Sequence, residues 1–498
     1  MTSVAALPHS HPHPWRVFAA TSVGVVAVFL GISGLTVALP TVTRELGASA
    51  AQSTWILLGY MLVTTALILV FGRLADIIGR RPLYLAGLVL FAVATGLCML
   101  APSANWLIAA RLLQGVGAAA VVTNNTALLT DTFPPHLLGR ALGWNATVAA
   151  VAQVVGPVIG GAATAAFGWR GLFVVCLPVG VIAIVASLLA IPRGPRMASR
   201  REPFDLAGSI LATAMLTAVV LALTPGVTAS WWVPGACALA AVVLAVAFTV
   251  VQMRRAHPLV DVTLFRNRGI TLVLVAVLVN AVATYAVALV VSLYAQAVEG
   301  VSAVSAGVLV VPVAVGTVVA AAAAGSLVLR FAPRTLTAVG MALDAVGLLG
   351  VTVTMSAGGP IALTAPFLFV LGCGTGLFMT PSTSALMLTA PAERRGIANG
   401  LRSTLQNVGN LLSTALALAV ATVGLSGAAR EAAYGGTLGV LGSDELTTFV
   451  DNIRTVGLAL TAVACVGVVV CLAFPRRHVS LPVSEPDLES VSTLKEPA

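Results

Sequence analysis

Three ionisable residues stand inside long apolar stretches of this chain, where their chemistry is most conspicuous. Arg111 lies within the apolar run 106–129, Arg402 within 396–423 and Asp344 within 336–356. A charged side chain at the centre of a membrane helix costs about 2.5–3.5 kcal/mol on insertion scales, so each should face a cavity or a partner rather than lipid. A carboxyl group can take up and release a proton, and Asp344 is the clearest acid placed to do so. Asp205 and Glu299 fall at the ends of runs, where a solvated charge is unremarkable. For Arg111 and Asp344 the competing role is structural: a snorkelling or paired side chain. Gln114, Asn145, Gln153, Asn280, Gln406 and Asn410 are candidates to line a cavity for a small molecule, with hydrogen bonding between helices as their competing role.

Glycine supplies the second kind of signal. Gly115 and Gly117 follow Arg111 closely, among alanines that let a neighbouring helix approach. Gly156-Pro157-Val158-Ile159-Gly160-Gly161 combines a proline bend with two glycines four residues apart, which share one helix face and make a groove. Between the runs 54–71 and 83–101 lies the charged string Gly72 to Pro82, holding Arg73, Asp76, Gly79, Arg80 and Arg81. So short a connection requires antiparallel helices joined by a tight hairpin, and its arginines should hold that hairpin on the cytoplasmic side.

These residues sit in a chain built for a bilayer. Of 498 residues, 59% are hydrophobic and only 9% charged, with mean hydropathy +1.03; an ordinary soluble domain carries about 25% charged residues. A crossing needs about 20 apolar residues. Fourteen such runs can be drawn: 17–39, 54–71, 83–101, 106–129, 140–162, 169–191, 205–224, 231–252, 270–293, 303–326, 336–356, 361–384, 396–423 and 453–474. With the N-terminus inside, only Arg44, Arg170, Arg430 and Arg454 fall in outside loops, and Arg111 and Arg402 lie within runs. Every other basic residue is cytoplasmic, the asymmetry the positive-inside rule expects, with both termini in the cytoplasm. The same scatter explains the net charge of +9 without nucleic acid. Arginine usage, with Lys495 the single lysine, points to a GC-rich bacterial genome. The stretch after Arg16 is too long for a cleaved signal and reads as the first membrane helix.

The chain also repeats. Gly115-Val116-Gly117 recurs as Gly372-Cys373-Gly374, and at the same offset Thr123, Thr132, Pro134, Gly139 and Gly143 meet Thr380, Thr389, Pro391, Gly396 and Gly400. The last six runs thus read as a copy of the first six, with the seventh and eighth inserted between. Transporters often carry their substrate site between such repeats, near the midplane. The expected organisation is a cytoplasmic tail 1–16, a six-helix half 17–191, linkers and inserted helices 192–269, a second six-helix half 270–474, and a cytoplasmic tail 475–498.

Other classes fit poorly. The six cysteines lie in apolar runs without disulfide or metal spacing, and His136, His257 and His478 are dispersed, so neither a metal site nor an enzyme's catalytic cluster is expected. The histidines near the start, His9 to His13, read as part of a polar tail. A nucleotide-driven pump would need a Gly-x-x-x-x-Gly-Lys-Ser/Thr loop, which the sequence lacks.

The motifs resemble those of one family. Gly72, Leu74, Asp76, Gly79, Arg80 and Arg81 match the loop between the second and third helices of the major facilitator superfamily, with Ile77 where a basic residue is usual. Arg111-Leu112-Leu113-Gln114-Gly115-Val116-Gly117-Ala118-Ala119 matches its Arg-x-x-Gln-Gly-x-Gly-Ala-Ala pattern, and Gly156 to Gly161 its Gly-Pro-x-x-Gly-Gly antiporter string. Trp169 to Phe173, with Pro178 and Gly180, resembles a motif of the fourteen-helix drug:H+ antiporters. The resemblance implies an all-α integral membrane protein with the major facilitator fold: two six-helix halves plus two inserted helices. It implies a secondary exporter of small, largely apolar organic compounds by proton antiport and alternating access. Gly72, Asp76, Gly79, Arg80 and Arg81 would form a gating loop, and Arg111 would serve proton coupling. No cofactor is implied beyond the proton gradient. The expected partners are a small-molecule substrate, protons and the lipid of a bacterial cell membrane, with no nucleic acid and a monomeric state. The other readings are a transporter dedicated to one metabolite and a non-transporting receptor or scaffold.

One departure matters. That branch usually opens its first helix with Leu-Asp-x-Thr-x-x-Asn-x-Ala-Leu-Pro, whereas here Leu30 is followed by Gly31, and Thr36 replaces the asparagine. A carboxylate linked to coupling or cation recognition is missing, which leaves Asp344 as the candidate carrier. The repeat, however, pairs its run with the third, which lies at the outside of the bundle in this superfamily.

Overall fold

The computed structural model describes residues 13–192, 205–223, 232–255, 262–328, 330–356, 361–391, 395–440 and 443–474. The C-terminal tail, most of the N-terminal tail with His9 and His11, and much of both linkers lie outside these residues. No strand occurs among the described residues.

The first six helices are α1 (Pro14–Leu46), α2 (Ala50–Ile78), α3 (Arg80–Met99), α4 (Ala104–Thr132), α5 (Pro135–Phe167) and α6 (Arg170–Ala190). Next come α7 (Leu206–Leu223) and α8 (Val233–Arg254). The remainder are α9 (Arg268–Thr284), α10 (Val287–Ala297), α11 (Ala303–Leu309), α12 (Val311–Leu327), α13 (Pro333–Ser356), α14 (Ala365–Thr389), α15 (Arg395–Ala421), α16 (Gly427–Gly435) and α17 (Ser443–Leu472). Among the described residues, twelve spans are long and apolar enough to cross a membrane, the pairs α9–α10 and α11–α12 each supplying one. Helix α7 is apolar but shorter, and α15, though 27 residues long, carries Asn399, Arg402, Gln406, Asn407 and Asn410 and is not among the twelve.

Local chemistry sets the helix ends. Gly47 closes α1 in the left-handed region at φ 57°, and Ser49 and Gln52 form a reciprocal capping box at the start of α2, a device worth about 1 kcal/mol. The charged string expected as a loop is mostly helix: α2 runs to Ile78, α3 begins at Arg80, and Gly79 alone turns the chain at φ 103°. Arg73, Leu74 and Ala75 are good helix formers. Pro82 falls in the first turn of α3, where its missing N–H has no helical partner to lose.

Two spans are broken where the sequence reads as continuous. The first break, at Tyr285–Ala286, frees backbone that Ser413 on α15 satisfies: its hydroxyl oxygen accepts from the Ala286 N–H at 3.0 Å. The second, at Val310, lies two residues before Pro312, which has no N–H and crowds the carbonyl four residues back. Unwound backbone inside a membrane protein is tolerated where protein or a water-filled cavity surrounds it.

The packing repeats. Helix α1 packs on α5 and α6 as α9 does on α15 and α17; α2 packs on α4 as α12 does on α14; α3 packs on α4 and α6 as α13 does on α14 and α17. Helices α7 and α8 pair, with α7 touching both α2 and α15. Val242, Val243, Val246 and Val250 of α8 are exposed, a face that is costly in water and suited to lipid.

Small residues set the closest approaches. A methyl group on Gly160 would stand 2.7 Å from the Cα of Gly34, and one on Gly161 would stand 2.6 Å from the carbonyl of Ala303. Helix α5 therefore presses one face on α1 and another on α11. At the end of the bundle opposite the start of α1, hydrogen bonds among the described residues join the first group of helices to the last. Arg44 donates to the Gly435 carbonyl, Thr54 and Tyr434 share a hydroxyl pair at 2.9 Å, and the Gln296 amide donates to the Val37 carbonyl at 3.2 Å.

Candidate functional site: a central polar cavity

Between these groups of helices lies a cavity of about 110 Å³. One water needs roughly 10–15 Å³ on this measure, so the space admits an organic group rather than only a proton path. Its polar lining includes Ser33 and Thr36 of α1, Arg111 of α4, Gln153 of α5, Thr375 of α14 and Asn410 of α15. Both helix breaks reach it, through Tyr285 and Val310, as discontinuous helices do at many transporter sites.

Arg111 is anchored at this wall. Helix α4 carries it between α1 and α2, 1% exposed. Nη1 donates to the Gly31 carbonyl at 3.1 Å and to Gln114 Oε1 at 2.5 Å, and Nε donates to the Ile56 carbonyl at 3.3 Å. The guanidinium carbon stands 4.1 Å over the ring of Tyr60, a contact worth about 2 kcal/mol when desolvated. Gln114 is fixed in turn by donating to Thr95 Oγ1 at 2.7 Å. A planar cation with five donors suits this cage of acceptors. Gly115 and Gly117 make the placement of α4 possible: a methyl on Gly115 would meet the Tyr60 carbonyl at 2.8 Å, and one on Gly117 the Phe91 nitrogen at 2.6 Å.

Asp344 is turned inward, although α13 is one of the peripheral helices by its packing. The residue has no exposed surface. One carboxylate oxygen accepts from Asn280 at 2.9 Å and the other from Thr375 at 3.0 Å. Asn280 and Thr375 themselves line the cavity, so the carboxylate sits one side chain behind its wall.

The six cavity candidates divide. Gln153, Asn280, Gln406 and Asn410 line the cavity. Gln114 does not; it stands behind Arg111. Asn145 does not either, and accepts a hydrogen bond from Asn125 at 2.8 Å. The hydroxyls of Ser33 and Thr375 are not singled out by the sequence, and Thr36 enters it only as a departure from the family's first-helix pattern. Threonine in an apolar run usually bonds a carbonyl of its own helix, so nothing in the pattern distinguishes those that also face a cavity. Arg402 donates to Asn399 Oδ1 at 3.3 Å and to Gln406 Oε1 at 3.4 Å, which places a second buried cation beside the cavity lining.

The hairpin residues are remote from this site. Arg80 pairs with Asp131 and donates to the Ala127 carbonyl at 2.9 Å, tying the start of α3 to the end of α4. Arg81 donates to the Ile191 carbonyl just beyond α6 at 2.9 Å. Asp76 lies in the last turn of α2, its side chain outside the described residues. A methyl on Gly72 would make ordinary contact with Thr123 at 3.5 Å. Gly156 and Pro157 place α5 against Ser33 of α1 and Gly307 of α11 respectively.

Comparison with known proteins places this architecture. The model of the Major Facilitator Superfamily matches residues 21–414. The chain is 32% identical over 406 residues to the tetracenomycin C resistance and export protein of Streptomyces glaucescens, covering 81% of this chain and 75% of that one. It is 30% identical over 418 residues to the multidrug resistance protein Stp of Mycobacterium tuberculosis, covering 82% and 76%. It is 26% identical over 411 residues to the riboflavin transporter RibZ of Clostridioides difficile, covering 80% and 87%. In fold it is similar to the inward-facing, unoccupied crystal structure of a bacterial homolog of the human lysosomal transporter Spinster, with TM-score 0.62, 16% identity, and 93% and 97% of the two chains covered. With its helices packed in repeating fashion around a central polar cavity, the chain belongs to the Major Facilitator Superfamily and is a multi-pass membrane transporter.

Proposed function

We propose that this transporter is a proton-coupled exporter of small, largely apolar organic compounds, such as drugs, antibiotics or secondary metabolites. The observation that carries the reading is the central cavity with Asp344 directly behind its wall, held by two cavity-lining residues, Asn280 and Thr375. A cavity between repeated helix groups is the place from which alternating access can present a substrate to either side. The carboxyl group gives the same place a means of holding a proton. The antiporter string from Gly156 to Gly161 and the similarity to two resistance proteins support export over uptake.

In this reading the chain is a fourteen-helix member of the drug:H+ antiporter branch, α7 and α15 completing the twelve spans. Its halves are 17–191 and 270–474, with 192–269 inserted. Both termini are cytoplasmic, the protein lies in a bacterial cell membrane as a monomer, and the proton gradient is its only driving force, without a cofactor. The end closed by Arg44, Thr54 and Tyr434 is then the outer one. Arg80, Arg81, Gly79, Gly72 and Asp76 belong to an inner hairpin that governs switching rather than binding. A second reading, a transporter dedicated to one metabolite, is favoured by the similarity to a riboflavin transporter.

Expression in an efflux-deficient bacterium tests the proposal. Extrusion of several unrelated compounds, abolished by a protonophore, is expected. Extrusion of one compound alone would establish the second reading. Extrusion unaffected by the protonophore would sink proton coupling.

A further inference from the structure

We infer that the transported molecule is neutral or anionic and rich in hydrogen-bond acceptors, and that lipophilic cations are excluded. The inference rests on the exporter reading and adds to it the charge class of the substrate.

A desolvated organic cation is held by a carboxylate or by the faces of aromatic rings. This cavity offers neither in strength. Among the described lining residues there is no aspartate or glutamate, and the one aromatic ring is that of Tyr285. Asp344, one side chain behind the wall, has both oxygens engaged by Asn280 and Thr375 and no exposed surface. Gly31 presents only its carbonyl, and that is taken by Arg111. A Cβ on Gly31 would make ordinary contacts, 3.4 Å to the Phe91 ring and 3.8 Å to the Gln114 amide nitrogen.

What the cavity does offer is donors and positive charge. Gln153, Gln406 and Asn410 present amide groups, and Arg111 is at the wall; the Ser33 and Thr36 hydroxyls donate to the Phe29 and Ser33 carbonyls and add no free donor. Arg402 stands beside Gln406. Two cations and no accessible anion repel a positively charged guest, while ketone, ester, phenol or carboxylate oxygens find partners. The remaining lining, including Ile32, Leu57, Met61 and Val313, is apolar and suits the hydrocarbon part of such a molecule.

The test uses the full-length protein in detergent and a panel matched in size and lipophilicity. It contains permanent cations such as ethidium and tetraphenylphosphonium, neutral compounds such as chloramphenicol, and acids such as novobiocin. Thermal stabilisation is read first, then gradient-driven uptake into inverted vesicles. Stabilisation confined to neutral and acidic compounds is expected; stabilisation by the cations as often as by the others overturns the inference. Binding without gradient-driven movement would defeat the exporter reading and leave the charge selectivity standing. A second arm uses Gly31→Asp, which sets a carboxylate beside Arg111. It is expected to weaken acidic ligands about tenfold while leaving neutral ones within about threefold, since only a charged ligand feels the lost positive field. Equal weakening of both classes would contradict the electrostatic origin.

Discussion

Asp344 and Asn280 are joined by a 2.9 Å hydrogen bond that links a peripheral helix, α13, to the wall of the central cavity. Thr375 engages the other carboxylate oxygen from α14. Any change of charge on Asp344 must therefore alter what two cavity residues can offer a substrate. Asp344→Asn keeps the volume and most of the hydrogen bonding but carries no proton. It is expected to bind substrate and to lose gradient-driven transport together with its pH dependence. Asp344→Ala should also destabilise the fold, by about 1–3 kcal/mol for each buried partner left unsatisfied. Transport by Asp344→Asn with an unchanged pH profile would show that the residue is structural.

The cage around Arg111 makes a different demand. Gly31, Ile56 and Gln114 each accept a hydrogen bond from one guanidinium. A lysine ammonium keeps the charge but not the fork. We expect Arg111→Ala to insert normally and to abolish coupled transport. Arg111→Lys should lose roughly ten- to hundredfold in rate, the equivalent of one charge-assisted bond of about 1.5–3 kcal/mol. Wild-type rates in both variants, measured at equal membrane abundance, would make the arginine dispensable.

Gly160 tests the packing. A Cβ there points at the backbone of Gly34, which cannot move aside as a side chain can. Gly160→Ala should lower stability by about 1–3 kcal/mol, the usual cost of overpacking. Gly143 on the same helix has open space around it, and Gly143→Ala should be neutral or slightly stabilising. Melting temperatures of the two purified variants decide the matter, and equal shifts would contradict the close approach of α1 and α5.

At the closed end, Tyr434 reaches from α16 to Thr54 on α2. Tyr434→Phe removes one neutral hydrogen bond, worth about 0.5–1.5 kcal/mol, so the population open at that end should rise by roughly two- to tenfold. Spin-label distances across that end should lengthen accordingly. An unchanged distance distribution would mean that the bond does not hold the end shut.

Much of this architecture was legible in the sequence, because membrane helices announce themselves by length and hydropathy. Arg111 was recognisable because a buried guanidinium has few places to go, and the glycines of α5 because their spacing repeats along one face. Gln114 was read as a cavity residue from its polarity alone; its bonds to Arg111 and Thr95 depend on tertiary placement. Asn145 was assigned to the cavity for the same reason and pairs with Asn125. The hairpin is shorter than its run of charges suggests, because Arg73 to Ile78 continue α2. The breaks at Tyr285 and Val310 lay inside unbroken apolar runs, with Pro312 the one hint. Helix α16 was missed because nine residues with only one face buried cannot cross a membrane, although Ser426 and Gly436 mark its ends as cap residues.

The central claim is that substrate and protons exchange across this cavity in opposite directions. Proteoliposomes containing the purified protein, a transported compound from the panel and an internal pH indicator measure both fluxes at once. The account predicts that an imposed pH gradient drives the compound against the direction of proton flow. The indicator should record protons moving only when the compound is present, and Asp344→Asn should abolish both signals. Equilibration of the compound that ignores the gradient, or movement in the same direction as the protons, would contradict it.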